Sequence, residues 1–262
     1  MRLTVIGSSG SFPGPDSPAS SYLLQVDDEH GRTWNVVLDL GNGALGPLQA
    51  HVRLQDVDAV LLSHLHADHC LDLCGYYVAL KYAPSGPRDG RIPVWGPKGT
   101  DRRMARAYDL NPSPGMSEEF DFRTLDDATY VDVGPLRILP RRVNHPVEAY
   151  GFRVEGPSTA EPGERRTLVY TGDTDSCLEV EELSQTADLL LSEAAFHEGR
   201  DTTRGIHLTG RRAGELAAKA NVKSLVLTHL PPWNDPALSV EEARSAFDGP
   251  IQLAQPGAVH VL

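Results

Sequence analysis

The stretch SHLHADHC, residues 63–70, places three histidines and one aspartate within the six positions from His64 to His69. His64 and His66 are two apart, so in an extended segment their side chains share one face. Asp68 and His69 come next, at the expected start of a helix, and point elsewhere. The segment therefore offers two diverging pairs of ligands. An isolated His-x-His reads as a polar turn with solvated rings, so the rest of the chain has to decide the matter.

It does so through strand ends. His64 closes the apolar run AVLLSH (59–64), His145 follows LRILPRRV (136–143), Asp173 closes TLVYTGD (167–173), and His229 closes SLVLTH (224–229). Packing gives no reason for four hydrophobic strands to deliver a His or an Asp at their C-terminal ends, whereas rigid strands converging at one sheet edge position ligands well. One metal is expected on His64, His66 and His145, a second on Asp68, His69 and His229, with Asp173 between them. Imidazole and carboxylate donors suit two divalent ions, Zn²⁺ first, with Mn²⁺ or Fe²⁺ as alternatives. Such ions typically lie about 3.5–4 Å apart and hold a hydroxide between them.

The bulk properties narrow the class of protein. The chain has 262 residues, 40% hydrophobic and 23% charged, which is ordinary globular composition. No apolar run approaches the ~20 residues of a membrane span. MRLTVIGSSG at the N-terminus reads as a strand and a turn, not a secretory leader, so a cytoplasmic protein is expected. The three cysteines, without CxxC spacing, fit reduced thiols; Cys70 and Cys74 are expected to pack in the core. A net charge of −12 makes stable nucleic-acid binding unexpected. If the protein handles phosphate, positive charge must be supplied locally.

Short β-type runs recur at 3–7, 21–26, 35–40, 59–64, 92–96, 129–133, 136–143, 150–155, 167–173, 188–194, 224–229 and 258–262. Helical patterns lie at 69–82, 100–110, 177–187 and 209–220, the last with Thr209 as N-cap. Another is expected at 239–247, where Ser239 and Glu242 have capping-box spacing. Residues 155–166 read as a hairpin tip, and 83–91 and 111–119 as Pro- and Gly-rich loops. The order predicts two sheets packed face to face with helices outside, in one domain spanning 1–262.

SHLHADH, His145, GDT (172–174) and LTH (227–229) together resemble the metallo-β-lactamase-fold hydrolases, over nearly the whole chain. The resemblance implies an α/β, four-layer αββα sandwich. The same scaffold hosts thioesterases, lactonases, β-lactamases and nucleases. Two further residues resemble the ribonuclease Z branch. In that branch a His in the region of His207, supported by a Glu in the position of Glu193, assists departure of the leaving oxygen, which suits a histidine held by a carboxylate. The departures are Ser192 where that branch has His, His207 in HLTG rather than an HST-type segment, and a gap of only 28 residues from His145 to Asp173. Ribonuclease Z carries a tRNA-binding arm in that interval.

GSSGSFPGPDSPASSYLL (7–24), LLSHLHADHCLDL (61–73), VNHPVEAYGFRV (143–154), LTHLPPW (227–233) and FDGP (247–250) are similar to a bacterial group of atypical class II-like cyclic-nucleotide phosphodiesterases. That similarity implies two metal ions and a small cyclic-nucleotide substrate with cAMP first; the oligomeric state is left open, with a homodimer as the guess because relatives often dimerise, and the lack of an apolar span gives no reason to expect a membrane partner. The expected chemistry is attack by the metal-bridging hydroxide on phosphorus, with His207, oriented by Glu193, protonating the departing 3′ oxygen. Asp68 would bind metal and accept a proton. RNA 3′-processing, thioester or lactone hydrolysis, and a non-catalytic metal or nucleotide sensor remain as alternatives. The turn at 7–11 and Ser20–Ser21 are candidates to line the pocket. Trp95, Trp233 and Tyr82 are candidates to stack on a base, or to serve in packing.

Overall fold

The computed structural model describes every residue except 85 and 87, so that part of the expected loop at 83–91 lies outside the described residues. In chain order the strands are β1 (Arg2–Gly7), β2 (Ser21–Asp27), β3 (Thr33–Leu40), β4 (Ala59–Leu61), β5 (Ile92–Gly96), β6 (Phe120–Thr124), β7 (Val131–Val133), β8 (Leu136–Arg142), β9 (Tyr150–Pro157), β10 (Arg165–Tyr170), β11 (Leu189–Glu193), β12 (Leu225–Thr228), β13 (Ile251–Leu253) and β14 (Val259–Val261). The α-helices are α1 (Leu45–Leu48), α2 (Ala67–Cys70), α3 (Leu73–Lys81), α4 (Thr100–Ala107), α5 (Leu178–Ser184), α6 (Gly210–Lys219) and α7 (Pro236–Arg244).

The strands form two seven-stranded sheets, ordered β14-β1-β2-β3-β4-β5-β6 and β13-β12-β11-β10-β9-β8-β7. Between them lies a core that includes Leu3, Val5, Tyr22, Leu24, Leu38, Phe152, Val154 and Tyr170, all buried. The outer face of the first sheet buries Val37, Val60 and Val94 against Leu73, Tyr76, Leu80 and Met104 of α3 and α4. The outer face of the second buries Val169, Leu190 and Leu225 against Val180, Leu183, Ala213 and Leu216 of α5 and α6. This is the expected four-layer αββα arrangement, and it explains why β4, β11 and β12, apolar on both faces, read as continuous hydrophobic runs.

β8 and β9 pair antiparallel, as do β9 and β10, while β10, β11, β12 and β13 run parallel. The C-terminal ends of β8, β10, β11 and β12 therefore emerge on one edge. The expected hairpin tip at 155–166 is the turn joining β9 to β10, and this hairpin fills the interval between His145 and Asp173. The helix expected over 239–247 instead begins at Pro236, with Asp235 accepting from the Ala237 amide as N-cap. Proline at the first helical position has a preset φ and no amide to leave unpaired, which favours the earlier start. Ser239, expected as the cap, is buried inside the helix. Thr209 does cap α6, accepting from the Arg212 amide. The helical pattern at 69–82 is split into α2 and α3.

Candidate metal centre

The seven expected ligands come together at that edge. His64, His66, His145 and Asp173 offer one ligand atom each within 4.8 Å of one another, and so do Asp68, His69, Asp173 and His229. Asp173 belongs to both groups, as a ligand lying between two ions must. His66 is the exposed member of the first group, and the whole second group is buried.

Partners on the far side of three of the five rings fix which nitrogen faces inward. His69 Nδ1 lies 2.7 Å from Asp39 Oδ2, His229 Nδ1 2.8 Å from Ser20 Oγ, and His145 Nδ1 2.9 Å from the Ile206 carbonyl oxygen. Their Nε2 atoms are thereby directed to the centre. His69 Nε2 stands 3.2 Å from Asp173 Oδ1, and His229 Nε2 3.2 Å from Asp173 Oδ2. His66 is turned the other way, its Nδ1 being 2.9 Å from His64 Nε2 and 3.4 Å from His145 Nε2.

The donors fit divalent cations. His69 Nε2, His229 Nε2 and Asp173 Oδ1 are buried without a hydrogen-bond partner, and buried polar groups left unpaired call for an explanation such as an ion. Burial pushes the imidazoles of His64, His66, His145 and His229 below their ordinary pKa, so each presents a lone pair. Asp173 is buried too, which opposes its charge, yet His229, His69 and His64 hold its carboxyl well below the usual range. Four neutral imidazoles and an ionised carboxylate are metal-ready donors. His69 differs: burial opposes its charge, but Asp173 and Asp39 outweigh it and hold the ring protonated well above the ordinary value. A metal taking His69 Nε2 displaces that proton.

Glu193 and His207 form a third group with Asp173. Glu193 ends β11 fully buried and accepts from the Thr174 and Ala195 amides, at 2.9 and 3.0 Å. Its Oε1 also meets His207 Nδ1 at 2.8 Å. Burial lowers the His207 pKa, but the Glu193 carboxylate more than compensates, and the imidazolium persists to about 9. The ring stands 5.5 Å, centroid to centroid, from both His145 and His229, and Phe196 packs edge-on against it at 5.0 Å.

The positioning residues were only partly visible in the sequence. Ser20, a candidate to line the pocket, holds His229. Gly10, in the candidate turn, packs on the His229 ring: a Cβ there would lie 2.9 Å from His229 Cδ2 and nearer still to its carbonyl oxygen. Asp39 was missed. It accepts from the Ser63 amide at 2.6 Å, and from Ser63 Oγ and Tyr170 Oη, each at 2.7 Å, besides His69. The signal was its place near the end of NVVLDL, another acidic residue at a strand terminus. Asp39 and His229 both have left-handed backbones, φ 56° and 55°, a conformation uncommon outside glycine and concentrated at functional sites. Of the aromatic candidates, Trp95 is buried in the core with Arg123 over its ring, and Tyr82 is exposed just beyond α3. Trp233, four positions after His229, is exposed and packs on Phe12 at 4.9 Å. The three cysteines are free thiols.

Residues 34–230 match the beta-lactamase superfamily domain. The chain belongs to that superfamily. This metallo-β-lactamase-fold chain is 44% identical over 261 residues to an uncharacterised protein of Mycobacterium leprae, covering 98% of this chain and 87% of the relative. It is 29% identical over 260 residues to the probable metallo-hydrolase YhfI of Bacillus subtilis, covering 99% of each. The crystal structure of YhfI superposes with a TM-score of 0.82 over 99% of this chain and 98% of that one, at 28% identity. Ribonuclease Z of Methanopyrus kandleri is 27% identical over 275 residues, covering 94% of this chain and 93% of the relative. A metal-dependent hydrolase related to YhfI and ribonuclease Z is what these matches and the His/Asp set support together. Among the described residues no helix is long and apolar enough to cross a membrane.

Proposed function

We propose that the protein is a dinuclear-metal phosphodiesterase acting on small phosphodiesters, with 3′,5′-cyclic nucleotides, cAMP first, hydrolysed to 5′-nucleotides. The observation that carries this reading is the Glu193–His207 pair beside the metal centre. Zinc is the ion the donor set favours: His64, His66, His145 and Asp173 would hold one, and Asp68, His69, His229 and Asp173 the other. Ions bound there supply positive charge for the phosphoryl oxygens and lower the pKa of water so that it is nucleophilic at neutral pH.

The chain's own residues supply the rest. Glu193 occupies His207 Nδ1, so the other ring nitrogen is left for substrate. A protonated His207 delivers its proton to the 3′ oxygen as the P–O3′ bond breaks and the hydroxyl of water joins phosphorus; the imidazole then regains a proton from solvent. A leaving alkoxide needs that proton, whereas a thioester's thiolate leaves without one. Asp68, held ionised by His69 and His229 against the opposing effect of burial, can take the proton that water gives up. Identity with ribonuclease Z favours RNA as a second substrate class. The occupation of the 145–173 interval by the β9–β10 hairpin weighs against it.

The test is metal analysis followed by a panel of cAMP, cGMP, a 2′,3′-cyclic nucleotide, a linear phosphodiester, a precursor tRNA, a lactone and a thioester. We expect turnover of cyclic nucleotides. His207→Ala should keep both metals and lose about 10²–10⁴-fold in turnover. A metal-replete His207→Ala variant with normal turnover, or activity confined to the lactone or thioester, refutes the proposal.

A further inference from the structure

A cationic groove of about 410 Å³ adjoins the metal loop, lined by Leu65, Lys98, Gly99, Arg102, Arg103 and Arg106. Leu65 lies in sequence between the ligands His64 and His66, and His66 is the exposed ligand of its group. Because β4 and β5 run parallel, the segment after β5 that carries Lys98 and α4 leaves the sheet at the same edge as the metal loop after β4. All four cations are exposed. Among the described residues none of their charged side-chain groups makes a hydrogen bond or an ion pair, whereas Arg204 and Arg212 in the same molecule are paired with Asp175.

The arrangement is unfavourable for the isolated fold. Arg102 and Arg106 are four apart on α4, and Arg103 and Arg106 three apart, spacings at which like charges repel. Arg102 and Arg103 also lie in the first turn of an eight-residue helix, where the helix dipole disfavours cations. Asp101 in the same turn and the place of Arg106 in the last turn offset part of this, yet a chain of net charge −12 keeps four cations on one groove without a side-chain partner. Guanidinium groups fit phosphate oxygens through paired N–H donors, and a ligand of that kind removes both penalties.

We propose that this groove is a subsite for a phosphate group beyond the one at the metal centre. It rests on the phosphodiesterase reading above and extends it to nucleotides bearing at least two phosphates. The second phosphate can come from a bisphosphorylated mononucleotide or from the next link of a short oligonucleotide.

Calorimetric titration of the metal-loaded protein separates these sources without requiring turnover. The probes are AMP, adenosine 3′,5′-bisphosphate and a phosphorothioate-linked pentaadenylate. The variant is Arg102→Ala/Arg103→Ala/Arg106→Ala, checked for wild-type metal content and melting temperature. We expect at least one multiply phosphorylated probe to bind the wild type about tenfold or more tightly than AMP, and the triple variant to lose that preference. For the pentaadenylate, the slope of log Kd against log salt should fall by about 2, some 0.7 for each phosphate contact removed. Preference for the bisphosphate places the second phosphate one ribose away; preference for the pentaadenylate alone places it further along the chain. Equal affinity for all three probes, or a preference that survives in the triple variant, overturns the subsite. If the probes bind as expected but no phosphodiester is turned over, the phosphodiesterase reading fails while the phosphate subsite stands.

Discussion

Asp39→Asn tests how the second metal position is built. The side chain sits fully buried beneath His69 and accepts from Ser63 and Tyr170 as well. Asparagine keeps the size and one carbonyl acceptor, and tolerates the left-handed φ of 56°, since Asn is enriched in that region. What it removes is the negative charge behind His69 Nδ1. It also sets an amide N–H₂ where a carboxylate oxygen had accepted. His69 Nε2 then becomes a weaker donor and its ring orientation is no longer fixed. Losing such a carboxylate behind a metal-binding imidazole typically lowers metal affinity 10–100-fold, about 1.4–2.7 kcal/mol. His66 and His145 have no bond to Asp39, and His64 is linked to it only through Ser63 Oγ, 3.1 Å from His64 Nδ1, so the other position should be largely spared. Titration against a chromophoric chelator should show one equivalent bound as in the wild type and one equivalent weaker by that factor. Two equivalents of unchanged affinity would falsify the orienting role of Asp39; equal weakening of both would show a general loosening of the site instead.

Gly10→Ala should displace His229, because the new Cβ would overlap its backbone, and so cost the second metal while leaving the first; two metals per chain at wild-type affinity sinks this expectation. Chelation should destabilise the protein: at a free metal concentration a thousand times Kd, each ion adds about 4.1 kcal/mol, or roughly 8–16 °C in melting temperature at ~2–4 °C per kcal/mol, and a calorimetric scan with no shift after dialysis against chelator contradicts the buried, unpaired donors. Asp175→Ala should leave the buried Arg212 with only Glu198, 3.7 Å away, as a carboxylate partner, costing up to about 3–5 kcal/mol, and should free the Gly205 amide that donates to Asp175 at 2.7 Å; denaturant unfolding measures the loss, and a change below 1 kcal/mol counts against the pair as an anchor of the loop carrying His207.

The sequence disclosed what periodicity and strand-end chemistry encode. All seven expected ligands lie on or just after hydrophobic runs, so each announced itself as a polar residue where packing wanted none. β6 and β13 were not anticipated, for the corresponding reason. FDFRT alternates weakly and is half solvent-facing at a sheet edge, and IQL is three residues long with no buried side chain. Neither presents a run long enough to stand out from a loop. The early start of α7 was hidden because two capping signals compete there, and the choice between Asp235 and Ser239 depends on Pro236 fixing the entry of the chain.

The residues that orient the ligands were illegible for a different reason. Asp39 and His69 are 30 positions apart, Ser20 and His229 are 209, and the Ile206 carbonyl that holds His145 lies 61 positions from it. No local pattern encodes such pairs; they exist only once two sheets bring distant turns to one edge. A backbone carbonyl has no sequence signature at all. Yet these partners decide which ring nitrogen faces the centre, and hence whether seven donors can act as two sites. The same division applies to substrate. The metal set is common to hydrolases of several substrate classes, so on the reading proposed above discrimination comes from groups held beside it: Glu193 behind His207, for a leaving oxygen that needs a proton, and the cations at 98, 102, 103 and 106, for a substrate carrying more than one phosphate. His207→Ala and the triple arginine variant should therefore fail in different assays, one in turnover with probe binding intact, the other in binding of multiply phosphorylated probes.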